Sequence, residues 1–128
     1  NEAVDTAPKV GYNTGMNNEV TNIVLTNVSP GMPADARGMR YEFANGWSLS
    51  VHATKRGKAH EAAVLNAHGR IEYTDRNLAG YSGDLLFLTS DEVIEIINVM
   101  SENKDNMMLR LNAWVDDKIV ESTLEKYS

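Results

Sequence analysis

Three glycine turn signals, Asn45-Gly46, Arg56-Gly57 and His68-Gly69, punctuate a stretch from Tyr41 to Tyr73 in which apolar and polar residues alternate. Alternation with a period of two, broken by Gly-containing pairs, specifies an antiparallel β-meander. The register of each hairpin follows from the requirement that large apolar side chains share one face, because a slip of one residue sends them all to the other. A two-residue turn at Asn45-Gly46 pairs Phe43 with Ser48 and separates Phe43 from Trp47. A three-residue loop, Ala44-Asn45-Gly46 with Gly46 at positive φ, pairs Phe43 with Trp47 and Tyr41 with Leu49 and unites all four. Pairing Lys55 with Lys58 across the second turn sets Val51 opposite Ala62 and Leu49 opposite Val64. The third turn is expected to place Asn66 opposite Ile71 and Val64 opposite Tyr73. One apolar face then runs through Tyr41, Phe43, Trp47, Leu49, Val51, Ala62, Val64, Ile71 and Tyr73, and the other carries Ser48, Ser50, His52, Glu61, Arg70 and Glu72. Leu65 and Asn66 do not fit this alternation.

The flanking segments extend the pattern. Val20 to Val28 is rich in β-branched residues and ends at Ser29-Pro30-Gly31-Met32-Pro33, which cannot continue a ladder, so it reads as an edge strand. Thr74 to Asp84 is a loop long enough to be functional, with Arg76 and Tyr81 as its conspicuous side chains. Asp84 to Leu88 is a short apolar run. Thr89 and Glu92, three residues apart, form a capping box that opens a helix whose Val93, Ile96, Ile97 and Met100 repeat at helical spacing, with Glu92, Glu95 and Glu102 on the other side. The last segment satisfies two periods: Leu109, Leu111, Ala113 and Val115 alternate as in a strand, while Met108, Leu111, Val115 and Ile119 fit a helix that continues through Leu124. Its Met, Leu, Lys and Glu content and its length favour the helix. The expected fold class is α+β, an antiparallel meander of four to five strands with one face covered by two C-terminal helices.

A chain of 128 residues with 42% hydrophobic and 23% charged residues holds one core. Residues 20–128 are expected to form it. Residues 1–19, small and polar, are expected to be a flexible arm, to include residues that precede a natural start near Met16, or to dock on a neighbouring subunit. There is no cysteine, which excludes disulfides, thiolate nucleophiles and cysteine-ligated metals. No apolar run approaches the length of a membrane span, and the first twenty residues lack a basic start and an apolar stretch, so a cytoplasmic protein without membrane contact is expected.

Charge is uneven. Residues 55–76 hold five basic and three acidic side chains, whereas residues 84–128 hold four basic and ten acidic ones, within a net charge of −6. That balance opposes nucleic acid as a partner, since phosphate binding rests on clustered Lys and Arg. His52, His60 and His68 recur every eight residues, but the meander puts His60 and His68 at opposite ends of one strand, about 25 Å apart at roughly 3.3 Å per residue. No metal site and no cofactor are implied. Nucleophile elbows, phosphate loops and dinucleotide fingerprints are absent, so an enzyme is not expected. Two charged groups remain as candidate sites. Lys55, Arg56 and Lys58 at a hairpin tip, with Arg70, Arg76 and Tyr81, are the candidate ligand-binding residues, able to hold phosphates and stack a base. Glu92, Glu95, Glu121 and Glu125 are the candidate partner-binding residues, able to meet a basic groove. Ala63 and Leu65 on the uncovered face, and strand edges that need cover, predict a homo-oligomer.

The order of signals resembles small accessory proteins of tailed phages: Phe43-Ala44-Asn45-Gly46-Trp47 leading to Ser50-Val51, then Glu61-Ala62-Ala63-Val64-Leu65, Gly69, and Leu88-Thr89 with Glu92-Val93 opening an acidic helix. The resemblance covers about half of the chain, and carries no shared catalytic residues. It implies a bacterial host cytoplasm during infection and an anti-defence role, such as an anti-CRISPR one, exerted by binding a host or immune protein. The basic residues support a different function, an oligomeric sponge for a phosphate-bearing nucleotide signal. A minor virion component is the third expectation.

Overall fold

The computed structural model describes residues 17–27, 36–54, 60–75 and 85–127. They form six strands and two helices: β1 (Val20–Thr26), β2 (Ala36–Phe43), β3 (Ser48–Thr54), β4 (His60–Leu65), β5 (Ile71–Glu72), β6 (Leu85–Leu88), α1 (Ser90–Glu102) and α2 (Met107–Tyr127). The sheet is antiparallel in the order β1-β2-β3-β4-β5, and β6 also pairs with β4. β5 pairs with Val64 and Leu65, and β6 with His60 and Ala62, so the two lie end to end in one position beside β4. The sheet is therefore five positions wide. β6 resumes the lane that β5 leaves, and residues 76–84 of the candidate functional loop lie outside the described residues.

The first hairpin has the expected register. Tyr41 pairs with Leu49, the Phe43 N–H donates to the Trp47 carbonyl at 2.9 Å, and Gly46 sits at φ +90°. β3 and β4 also pair as expected, Leu49 with Val64 and Val51 with Ala62. The third hairpin differs. Leu65, not Asn66, lies opposite Ile71, and Val64 lies opposite Glu72 rather than Tyr73. The Asn66 N–H donates to the Arg70 carbonyl and the Gly69 N–H to the Asn66 carbonyl, with Gly69 at φ +79°, which is the same three-residue loop as the first hairpin. The Asn66 side chain fixes this shape by accepting from the N–H groups of His68 and Arg70. The one-residue slip moves Ile71 and Tyr73 off the core face, where they are 41% and 60% exposed, and puts Glu72 there in a 2.8 Å hydrogen bond from Asn66. It also accounts for Leu65, which shares the second face with Ile71 and Ala63.

The core lies between the sheet and the helices. Phe43, Leu49, Val51, Ala62, Val64 and Leu88 from the sheet meet Val93, Ile96 and Met100 of α1 and Met107, Leu111 and Val115 of α2. Trp47, Ile97, Met108, Trp114 and Ile119 pack around them half-buried. α1 has the predicted capping box, Thr89 Oγ1 accepting from the Glu92 N–H at 3.1 Å and Glu92 Oε1 from the Thr89 N–H at 2.8 Å. Residues 107–115 are helical, and α2 runs to Tyr127, but Leu124 is exposed rather than part of the buried stripe.

Two residues ahead of β1, Asn17 and Asn18, are tied to the folded chain. Asn18 is completely buried: its backbone N–H donates to the Ser101 carbonyl, its Nδ2 to the Met100 carbonyl at 3.1 Å, and its Oδ1 accepts from the Asn45 N–H at 2.8 Å. Asn17 Oδ1 accepts from the Lys104 N–H. A helix leaves its last four carbonyls without intrahelical partners. Here the chain entering β1 supplies two of the missing donors to α1 and ties them to the first hairpin. Residues 1–16 of the expected arm lie outside the described residues.

Candidate functional site

The helix layer does not span the sheet. α1 packs against β2, β4 and β6, while on β1 the side chains that share the helix-facing surface, Ile23 opposite Tyr41 and Leu25 opposite Met39, are 53% and 78% exposed. Where α1 ends its cover over β2, a cleft of about 270 Å³ opens. Met39, Tyr41 and Val51 form its floor, Val93, Ile94 and Ile97 of α1 its wall, and His60 and Ser90 its polar end. Ile94 is 55% exposed at the rim. The β1 side chains continue the apolar floor outward as a shelf.

At the polar end, His60 Nε2 lies 3.0 Å from Ser90 Oγ, joining the start of β4 to the first residue of α1. His60 Nδ1 is buried with no hydrogen-bond partner. A serine beside an imidazole is the beginning of a nucleophile–base arrangement, but such pairs act through a third group that orients the imidazole and through N–H donors aimed at a developing oxyanion. Among the described residues the imidazole has no such third group. Nδ1 has no partner, and the amides of Glu92 and Val93 in the first turn of α1 are bonded to Thr89. The pair holds strand to helix and lends the cleft one polar corner.

None of the predicted charged residues is among the described lining of the cleft. Lys55, Arg56, Lys58, Arg76 and Tyr81 lie outside the described residues. Arg70 is exposed at the end of the third loop. Glu92 is engaged in the capping box. Glu95, expected on the solvent side, faces α2 instead: its Oε1 accepts from Trp114 Nε1 at 2.8 Å and from Lys118 Nζ at 3.0 Å. Lys118 also reaches Glu121 at 3.6 Å and lies 5.6 Å from the centroid of the Trp114 ring. The Trp114 hydrogen bond first, and then that from Lys118, hold the Glu95 carboxyl below its ordinary range, and Glu95 in turn raises Lys118. Glu95, Lys118 and Trp114 thus clamp the helices together, with Glu121 at the margin. Glu121 and Glu125 are exposed.

Two kinds of residue at the cleft escape a search for charged or catalytic groups. Ile94 stands beside the stripe of Val93, Ile96, Ile97 and Met100, and an apolar residue one position off a helical stripe is a signal for a surface contact. Ile23 and Leu25 alternate on an edge strand, which marks a face without saying whether a helix covers it.

His52 pairs across from Glu61 on the other face, its Nδ1 4.0 Å from Glu61 Oε1. Among the described residues no helix is long and apolar enough to cross a membrane. Comparison of the chain with protein families, with curated proteins and with solved structures finds no match.

Proposed function

We propose that this chain is a non-catalytic binding protein that takes one or two apolar side chains of a protein partner into the cleft beside α1. The observation that carries this is the half-covered apolar face: Ile23, Leu25 and Ile94 are exposed around a cleft with an apolar floor and wall. Contiguous exposed apolar surface of this kind marks interaction sites. Size and charge select the class of ligand. At about 270 Å³ the cleft lies at the small end of ligand sites, which run to roughly 300–1,000 Å³, and is sized for one or two side chains. Among the described residues no Lys or Arg lines it to hold a phosphate. Protein side chains anchored in such pockets supply most of the affinity of many interfaces. The resemblance to phage accessory proteins makes the partner a bacterial host or immune protein, met in the host cytoplasm.

The test is capture from bacterial lysate by the immobilised chain and by its Ile94→Asp and Glu121→Gln/Glu125→Gln variants, with mass spectrometry of retained proteins and small molecules. A charge at a half-exposed rim position leaves the fold intact and should lower partner recovery about tenfold or more, the effect of losing about 1.4 kcal/mol. The glutamine variant should retain the partner. Equal capture by Ile94→Asp, or retention of a nucleotide with no protein, would overturn the proposal.

A further inference from the structure

The outer edge of β1 is chemically symmetric. In its regular part, residues 22–26, like residues stand at equal distances from Val24: Ile23 and Leu25, Asn22 and Thr26. An antiparallel strand pair built about a two-fold axis at Val24 would set each of these opposite its counterpart. Self-complementarity of this kind is what an isologous dimer interface requires.

The ladder phase permits that pairing. In an antiparallel ladder, successive residues direct their N–H and C=O groups to opposite sides. The hydrogen-bonded pair Phe43–Trp47 turns Phe43, Tyr41 and Met39 toward β3, and therefore Glu42, Arg40 and Gly38 toward β1. Their partners on β1 are Asn22, Val24 and Thr26. The backbone groups of Ile23 and Leu25 consequently face the edge that is free among the described residues. An axis at Val24 matches Ile23 with Leu25 of a second copy as hydrogen-bonded pairs on both sides, with Val24 meeting its own copy as the non-hydrogen-bonded pair between them.

Charge points to the same occupant. Edge strands of monomeric proteins are commonly blunted by Lys, Pro or inward charges. β1 has none of these, and its register shift lies at its beginning, between Val20 and Asn22, leaving residues 22–26 regular. Two copies each of net charge −6 repel one another, and an edge without ionisable side chains lets them meet with no like charges opposed.

We infer that the protein forms a two-fold symmetric dimer by antiparallel pairing of β1 with β1 of a second copy, centred on Val24. This continues the sheet across both copies and sets the two apolar shelves side by side between the two α1 helices. It does not depend on the function proposed above.

Light scattering at tens of micromolar should give twice the 14.2 kDa chain mass. Ile23→Lys with Leu25→Lys opposes like charges twice across the axis and should raise the dimer dissociation constant at least tenfold. Ile23→Lys with Leu25→Glu opposes unlike charges in this register and should keep the dimer. Both positions are exposed, and unchanged circular dichroism reports the fold. The chain lacks cysteine, so Val24→Cys provides a second readout. A non-hydrogen-bonded pair brings its Cα atoms to about 4.5 Å, within disulfide reach, and mild oxidation should give a covalent dimer. Asn22→Cys, roughly 13 Å from its own copy at 3.3 Å per residue, should not cross-link. A particle of single-chain mass, dissociation of the Lys/Glu variant like that of the Lys/Lys variant, or equal cross-linking at residues 22 and 24 would each overturn the inference.

Discussion

Asn18→Ala is the substitution with the most to say about how this fold is closed. The side chain is 0% exposed and joins three elements: Oδ1 accepts from the Asn45 N–H at 2.8 Å, and Nδ2 donates to the Met100 carbonyl at 3.1 Å and approaches the Met107 sulfur at 3.4 Å. Alanine removes the carboxamide and leaves one donor and one acceptor behind. Each unpaired buried group costs about 1–3 kcal/mol. Asn45 is half-buried and regains part of its loss from water, whereas Met100 is fully buried and does not. The expected loss is about 2–4 kcal/mol, seen in urea unfolding as a lower midpoint at unchanged slope, and roughly 8–15 °C in Tm. Asn18→Asp sharpens the case, since a carboxylate still accepts from Asn45 but has no proton for Met100 and is a buried charge. Burial raises its pKa, so the penalty is full at neutral pH and shrinks as the pH falls and the carboxyl becomes a donor. A loss below about 0.5 kcal/mol for Asn18→Ala would refute the closure role.

The register of the third hairpin predicts that Tyr73→Ser and Ile71→Thr cost less than about 1 kcal/mol in the same urea assay, while Val64→Ala costs about 2 kcal/mol or more. A larger loss for Tyr73→Ser than for Val64→Ala would restore Tyr73 to the core. Gly38→Ala should cost about 1–3 kcal/mol by thermal unfolding, because a Cβ there meets Thr26 Oγ1 and comes within 2.9 Å of the Thr26 backbone carbonyl oxygen. Glu95→Gln should cost no more than about 1 kcal/mol at pH 7, as expected for a pair with one partner 43% exposed. Because the Glu95 carboxyl is held below its ordinary 4.5, that contribution is present above pH 4.5 and is lost as the pH falls through the lowered value, so variant and parent converge in acid. Lys118, raised above 10.5, gives the mirror case: its share persists below pH 10.5 and fades as the pH rises beyond it.

The parts of the fold that were legible were those fixed by short-range grammar. Gly46 demanded positive φ, Phe43 and Trp47 had to share a face, and together they set the first hairpin and through it β3 against β4. Thr89 and Glu92 announced the start of α1 by chemistry that needs no tertiary context. The third hairpin departs from the alternation because Asn66, a polar residue on the core face, and Leu65, an apolar one on the other, invert the pattern; the Asn66 side chain sustains the inversion by accepting from His68 and Arg70 and donating to Glu72. The tie from Asn18 to α1 was not legible, since it spans more than eighty residues and begins in a segment of small polar residues. At the candidate site, alternation places Tyr41 on the apolar face but does not show where the helix layer stops. That limit is set by how α1 packs against β2, β4 and β6. Glu95 reads as a solvated acid on a helical wheel, and becomes a clamp only once Trp114 and Lys118 are brought beside it.

We propose the uncovered apolar face beside α1 as the working surface. Amide hydrogen exchange on the chain, alone and with its captured partner, tests it most directly. Exchange should slow in the segments that bound the cleft, residues 38–42 of β2 and 91–97 of α1, and remain unchanged at residues 119–125 of α2. Protection confined to α2, with 38–42 and 91–97 unaffected, would contradict the account.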